Sequence, residues 1–335
     1  MSEFIASIGV VAYNEEKNLH ILFDDILNQS YKLNNIELLL VDSMSTDNTK
    51  KLMEEFKKEN EAKFYSIRIL ENEKKIQATG WNIVLDNFSG DSISRIDAHS
   101  RIDKDFIKNA VSIIEEGEYV VGGPRDCIIN PETPWTNTLL QAENSMFGSS
   151  ISKSRRDTNE KIYVKSFFHA TYKREVIEKC GRFNVNLLRT EDNEFHYRIR
   201  QNGYKFCFSP LIKSSQFARM SLKKMTKQKY GNGYWIGKTI KYCPGCISIF
   251  HLVPFAFLMA IIAFLIPLIW GLWYFIAGLG ALYFLFGIYS AVISGIKNGF
   301  TRYQILIPFM FLILHLSYGF GTLFGLLSIN RFKKS

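Results

Sequence analysis

The sequence predicts an α/β fold: a mixed, mostly parallel sheet with helices on both faces, followed by C-terminal transmembrane or interfacial helices. Two observations carry this. Over residues 5–87 an apolar run gives way to a helical pattern three times, which means a parallel sheet built with right-handed crossovers. The composition then divides. Residues 1–246 read as a soluble mixed domain, whereas residues 247–328 are interrupted by charge only at Lys297 and Arg302.

The elements follow in order. Residues 5–12 (IASIGVVA) form a buried-strand run that ends at Tyr13-Asn14-Glu15-Glu16, with a helix over about 17–29. IELLLV (36–41) is a second strand ending at Asp42, and SMSTDNT leads into a helix over about 47–59 with Asp47 at its start. FYSIRIL (64–70) is a third strand, followed by a helix over about 75–87. A fourth run ends in RIDAHSRID (95–103), where Asp103 reads as the cap of the next helix. EYVVGG (118–123), YVKSFFHATY (163–172) and YKFCF (204–208) are further strands. Arg189-Thr190-Glu191-Asp192 opens a helix that runs to about Gln201 and stops at Asn202-Gly203. SSISKSRRDTNE (149–160) is expected as a mobile loop over the site.

The tail holds three apolar segments, about 247–270, 271–293 and 303–328, each long enough to cross a hydrocarbon core. Trp270-Gly271-Leu272-Trp273 reads as the outer hairpin, and Lys297 and Arg302 place the following loop inside. A third crossing would leave Arg331, Lys333 and Lys334 outside, so the last segment is expected to be re-entrant or interfacial. The domain boundaries expected are 1–222 for a catalytic domain, 223–246 for a basic membrane-interface segment and 247–335 for the hydrophobic region. MSEFIASIGVVAYNEE has no basic leader, so the first domain is expected in the cytoplasm of a protein integral to the cell (inner) membrane.

The net charge of +9 suits a membrane surface or a polyanion such as a nucleotide diphosphate, and no nucleic-acid module is recognised. Lys223, Lys224, Lys227, Lys229, Lys238 and Lys241 lie just before the apolar tail, where they would meet anionic headgroups. Five cysteines fit a reducing compartment, and Cys243-Pro244-Gly245-Cys246 is expected to hold two ordinary thiols. Oligomeric state is left open.

Ligands of open parallel sheets bind outside the carboxyl ends of the strands, and Tyr13 to Glu16, Asp42 and Asp97 all fall there. Asp42 and Glu16 could accept hydrogen bonds from a base or ribose, although Asp42 alone also reads as a turn aspartate. A divalent ion on a diphosphate needs hard oxygen donors, which Asp97 supplies; His99 would add nitrogen and suit Mn²⁺ better than Mg²⁺. Thr190 caps its helix, and a carboxylate at that positive end, Asp192, stays ionised and able to take a proton. His196 shares a helix face with Asp192 and reads as a core or surface histidine. Gln228 to Trp235 is equally an amphipathic interfacial helix or a lid over the diphosphate.

In this order the motifs resemble those of family 2 glycosyltransferases of the GT-A, Rossmann-like fold, over about residues 4–240. VVAYNEE matches the opening strand and its nucleoside-holding loop (Ala12, Tyr13, Asn14, Glu16), and Asp42 before STDNT matches the nucleoside-binding aspartate. ENEKKIQATGWN resembles the diphosphate-passing stretch and contributes Lys75 and Asn82; Asp97-Ala98-His99 stands at the D-x-D metal motif, with His99 replacing the second aspartate. TEDNEFHYRIRQNGYK places Asp192 as the catalytic base, and Gln228 to Trp235 is a looser form of Q-x-x-R-W. D-A-H, VVGGP and T-E-D-N-E are similar to those of membrane-anchored succinoglycan-type, exopolysaccharide-building transferases. The resemblance implies inverting, metal-dependent (Mg²⁺ or Mn²⁺) transfer from a UDP-sugar to a lipid-linked, polyprenyl-diphosphate saccharide. Transfer to a polyprenyl phosphate, or a membrane-anchored nucleotide-sugar scaffold without activity, are the alternatives.

Overall fold

The computed structural model describes residues 3–148 and 159–328. The chain forms two compact units, one from residues 1–126 and 154–216, the other from residues 127–153 and 217–335. The expected loop at 149–160 lies outside the described residues apart from its last two, and so do Arg331, Lys333 and Lys334.

In the first unit the order is β1 (Ala6–Ala12), α1 (Leu19–Leu27), β2 (Ile36–Asp42), α2 (Thr49–Asn60), β3 (Ser66–Glu71), α3 (Gln77–Asn87), β4 (Ser92–Asp97), β5 (Ser100–Ile102), α4 (Phe106–Glu115) and β6 (Val120–Gly122). β7 (Arg125–Ile128) and α5 (Pro134–Asn144) follow, the latter in the second unit. The first unit resumes with β8 (Ile162–Val164), β9 (Thr171–Lys173), α6 (Arg174–Cys180), α7 (Glu191–Gln201), β10 (Phe206–Phe208) and β11 (Ser214–Phe217).

The main sheet has the strand order β3-β2-β1-β4-β9-β6-β10-β8. β1, β2, β3 and β4 are mutually parallel, β6 and β10 are parallel, and β9 is antiparallel to both β4 and β6. β2 is buried at every position, as expected of a strand covered on both faces. Its side chains alternate between two cores. Leu38 and Leu40 meet Leu22 and Ile26 of α1, Met53 of α2 and Ile107 of α4. Leu39 and Val41 meet Trp81 and Val84 of α3, Ile177 of α6 and Phe195 of α7. Each fully buried side chain of this kind contributes about 1.5–3 kcal/mol, so both helical layers are held by the sheet's period of two.

One expected strand is not continuous. Residues 163–172 break into β8, which pairs with β10, and β9, which pairs with β4 and β6. Between them His169 takes a left-handed backbone (φ 42°), and Phe168 turns out under Arg125, whose guanidinium stands 3.4 Å from the ring centroid. The apolar run is real, but two of its residues leave the sheet to line the site described below.

The second unit holds α5, α8 (Leu222–Tyr242), α9 (Val253–Leu265), α10 (Tyr274–Asn298) and α11 (Ile307–Leu327). Three helical stretches are long and apolar enough to cross a membrane: Ile249–Trp270, Tyr274–Asn298 and Gln304–Leu327. These are the three segments expected. The CPGC turn differs from expectation: Cys243 and Cys246 are joined in a disulfide, because the turn after α8 brings their Cα atoms to 5.4 Å.

Candidate functional site

The register of the parallel strands sets the site. Ala12 at the end of β1 stands opposite Asp42 at the end of β2, and Val11 stands opposite Asp97 at the end of β4. Asp42 and Asp97 therefore flank the end of β1 on one sheet edge. The loops that leave this edge turn sharply. Asn14, Met44 and Lys75, one in each loop after β1, β2 and β3, have φ between 55° and 59°. Non-glycine residues held there mark backbone fixed by its surroundings.

The first two loops are sewn together. Asn14 Oδ1 accepts from Thr46 N at 2.8 Å, and Asn14 N donates to Ser45 Oγ at 3.0 Å. Asp42 is buried and accepts from Ser45 N at 3.2 Å. Tyr13 is exposed, with Lys75 Nζ 6.0 Å from its ring centroid, so an aromatic face and a cation stand together at the mouth. Ala12 and Ala98 are buried and leave only backbone at the edge.

Two predicted residues are turned to other partners. Glu16 Oε2 accepts from Asn48 N and Nδ2, both at 3.1 Å, and so holds the start of α2. Asn82 exchanges both hydrogen bonds with Phe183, donating at 2.9 Å and accepting at 2.8 Å, and clamps α3 to the segment after α6. Gln228 and Trp235 belong to α8 of the second unit, where Trp235 packs edge-on against Tyr234 under Lys238.

At Asp97-Ala98-His99 the two outer residues differ. The Asp97 carboxylate lies 3.6 Å from His169 Nε2. Burial would raise its pKa, but His169 and Arg95 outweigh this and hold it well below the usual carboxylate range. His99 is engaged at both nitrogens, Nε2 with the Gln216 amide at 2.7 Å and Nδ1 with Glu15 Oε1 at 3.3 Å. Glu15, rather than Glu16, is thus the acidic residue of the first loop that reaches this motif.

α7 brings the remaining acids. Asp192 Oδ1 accepts from Asn193 N at 2.8 Å. Asp97 and Asp192 line one small cleft together with Arg95, Phe168, His169 and His196. Arg95 is held between the rings of Trp81 (4.8 Å) and Phe183 (5.4 Å), 3.5 Å from Glu191. Glu191 is buried with Oε2 unpaired, and burial together with the neighbouring Asp192 charge pushes its pKa up to about 7. His196 is a core histidine, bonded to Ser166 Oγ and Tyr172 OH, both at 2.7 Å, and burial keeps it neutral.

Four residues of this cluster were not read from the sequence: Glu15, Arg95, His169 and Glu191. Two carried a signal. Arg95 stands inside the central strand SISRID and His169 interrupts an aromatic run, and a charged or polar group covered at such a place needs a partner.

Among the described residues no group of three or more His, Cys, Asp or Glu could by itself enclose a metal ion. A divalent ion on a diphosphate needs less, because phosphate and water supply most of its oxygens and one or two protein carboxylates suffice. Asp97, kept ionised beside His169, fits that part.

Known proteins resemble this chain in sequence and in fold. The chain is 28% identical over 267 residues to a dolichyl N-acetyl-alpha-D-glucosaminyl phosphate 3-beta-D-2,3-diacetamido-2,3-dideoxy-beta-D-glucuronosyltransferase of Methanococcus voltae, covering 78% of this chain and 81% of the relative. It is 24% identical to glycosyltransferase AglE of Haloferax volcanii, over 68% of this chain and 72% of that one. A mannosyltransferase from Pyrobaculum calidifontis, solved in complex with GDP-Man and Mn²⁺, shares the GT-A fold at a TM-score of 0.60 and 17% identity, over 96% of this chain and 88% of that one. The sequence model of the family described as glycosyl transferase family 2 matches residues 7–181, and with strand order, edge register and relatives in accord, the chain belongs to the family 2 glycosyltransferases.

Proposed function

We propose that the chain transfers a glycosyl group, with inversion, from a nucleoside-diphosphate sugar to a lipid-linked saccharide at a membrane. The observation that carries this reading is the shared cleft of Asp97 and Asp192 at the carboxyl edge of the sheet. A carboxylate base and a carboxylate suited to a diphosphate-bound cation there face one small volume. The donor's nucleoside would lie along the β1 and β2 loops, over Tyr13, Asn14 and Asp42, with Lys75 towards its phosphates. Asp97 would hold a Mg²⁺ or Mn²⁺ ion, which when bound neutralises charge on the departing diphosphate. Asp192 would take the proton of the acceptor hydroxyl as that oxygen attacks the anomeric carbon and the nucleoside diphosphate leaves.

The acceptor reading rests on the relatives. The Methanococcus voltae protein is named for a dolichyl phosphate that already carries a sugar. That favours a lipid-linked saccharide over a bare polyprenyl phosphate, and a hydroxyl acceptor is the one that needs a base such as Asp192. We take the donor as a UDP-sugar, with use in cell-surface polysaccharide or glycan synthesis and a cytoplasmic catalytic unit.

The test is transfer by the purified full chain, with metal, a panel of UDP-sugars and GDP-mannose. The acceptors compared are dolichyl phosphate, dolichyl phosphate N-acetylglucosamine and a polyprenyl-diphosphate saccharide. Nucleotide release with extension of a sugar-bearing lipid is expected, and Asp192→Asn should lower transfer about 10²- to 10⁴-fold while donor binding persists. Near-normal transfer by a folded Asp192→Asn protein would remove the base assignment. Product from dolichyl phosphate alone would move the enzyme to polyprenyl-phosphate glycosylation.

A further inference from the structure

By length and hydropathy α11 is a membrane crossing, and it meets α9 at Gly319 against Pro254 O and α10 at His315 against Tyr283 OH, but its most extended contact is with the polar α8. Its last turns lie directly on α8. A methyl group on Gly321 would sit 2.2 Å from the Tyr230 carbonyl oxygen, and one on Gly325 would sit 2.1 Å from that of Tyr234. From the other side, a methyl on Gly233 would meet Tyr318 O at 2.1 Å and one on Gly237 would meet Thr322 O at 2.3 Å. The contacts advance along both helices together, so the pair runs parallel. It ends where Lys241 Nζ donates to Ser328 O at 2.7 Å. From Tyr230 to Lys241 the seam spans about 16 Å of helix.

α8 cannot follow α11 through hydrocarbon. It carries Lys223, Lys224, Lys227, Lys229, Lys238 and Lys241 and no acidic residue, and each lysine at the centre of a spanning helix costs about 2.5–3.5 kcal/mol. The earlier part of α11 is flanked by polar helices as well. Ile307, Phe311 and Leu314 share a core with Leu139 and Ala142 of α5 and Met225 of α8. Lys229 of α8 lies 4.0 Å from Glu143 of α5, and His315 bonds the Phe147 carbonyl at 2.8 Å. A perpendicular α11 would drag this ion pair to mid-bilayer.

The entry to α11 is held in the same way. Thr138 and Thr301 hydroxyls meet at 2.6 Å, and Gln141 Nε2 donates to Gly299 O at 2.8 Å. No apolar span separates α5 or α8 from the catalytic sequence, so both stay on its side of the membrane. On α11, Ile313, Phe320, Phe324 and Leu327 are exposed at helical spacing and form an apolar stripe, which begins at Phe309 beside the Phe284 ring of α10 at 5.2 Å.

We propose that α11 lies with α8 in the headgroup boundary of the catalytic-side leaflet, its apolar stripe in the acyl region and the exposed Lys223, Lys224 and Lys227 of α8 on anionic headgroups, so that only α9 and α10 cross. Ser328 then stays on the side of the catalytic unit. This rests on the helix seam and stands whether or not the reaction proposed above is correct.

The test is side-specific labelling of the full chain in cells and in inverted vesicles with a membrane-impermeant maleimide. Single cysteines at Lys58→Cys, Trp270→Cys and Ser328→Cys are placed in a background with the five native cysteines changed to serine. Ser328→Cys should react in the preparation that labels Lys58→Cys and be lost in the other. Labelling of Ser328→Cys only in the opposite preparation would overturn the proposal. Since that background removes a disulfide, protease access to a tag placed after Ser335 of the unmodified chain provides the second reading. Cleavage from the catalytic side supports the surface helix, and cleavage from the far side excludes it.

Discussion

Glu37 in β2 and Glu191 at the start of α7 are both buried carboxylates with opposite surroundings. Glu37 accepts from Ser7 Oγ at 2.5 Å, Arg68 Nη2 at 2.6 Å and Ser89 N at 2.7 Å, and these bonds outweigh burial to lower its pKa. Glu191 has Arg95 at 3.5 Å and an unpaired oxygen, and faces the charges of Asp192 and Asp97 as well. The stability linked to Glu37 is present above its unfolded pKa and is lost as pH falls. Glu191 works the other way: with its pKa raised from 4.5 to about 7, the folded state holds the extra proton, so stability falls as pH rises between those values. Glu191→Gln should therefore flatten the decline in thermal stability between pH 5 and about 7.5, a difference on the order of 1–3 kcal/mol. An unchanged pH profile of melting would refute the buried-proton assignment. For Arg95→Met we expect a destabilised protein with transfer reduced at least about tenfold, because a charge fixed between two rings and beside Glu191 is removed. The check is melting together with donor turnover. These residues also mark where sequence reading stopped. Asp42, Asp97 and Asp192 were legible as acids at strand ends or a helix start, since period and punctuation place them there. Arg95 and His169 act through partners brought from α3, the segment after α6, α7 and β11, and no local pattern contains those partners.

At the scale of elements, the first three strand–helix units were legible because β1 and β2 are continuous apolar runs and each ends in a polar loop. The strand expected over 163–172 was not, since a run of apolar and aromatic residues reads the same whether it lies in the sheet or leaves it to cover a cleft. The helix seam itself was not legible: terminal charge pointed to a re-entrant or interfacial last segment, and the structure shows Gly321 and Gly325 against the carbonyls of α8. Gly325→Leu should separate α8 from α11, because its clash is with backbone and cannot be relieved by a rotamer. Overpacking of this kind costs about 1–3 kcal/mol or more, so the detergent-solubilised protein should melt several degrees lower. Gly278→Leu on α10, where nothing lies within 4 Å of the added carbon, should leave melting near the parent value. Equal effects at the two positions would mean that glycine flexibility, and not the seam, is what matters.

The whole molecule divides along lines the sequence does not announce. The expected boundary near 222 separates residues by composition, whereas the second unit also takes in residues 127–153 from within the catalytic sequence. α5 reads as PWTNTLLQAEN, a short polar helix, and nothing local shows that its apolar side is claimed by helices more than 100 residues further on. There Leu139 and Ala142 pack in the core of α10 and α11, Trp135 packs edge-on against Tyr303, and Gln304 Nε2 donates to Gln141 Oε1 at 3.0 Å. Truncation after Ser221 removes every one of these partners while leaving α5 in place. Such a fragment should form soluble aggregates or float with liposomes, since it presents Trp135, Leu139 and Phe147 on one helix and its exit. Changing Trp135 and Leu139 to serine in the same fragment should shift it towards monomer on size exclusion, because the exposed apolar surface, and not a misfolded sheet, drives the association. A truncated chain that is monomeric without those changes would show that α5 folds back on other partners, and its docking against the membrane helices would then not be needed to keep the catalytic unit soluble.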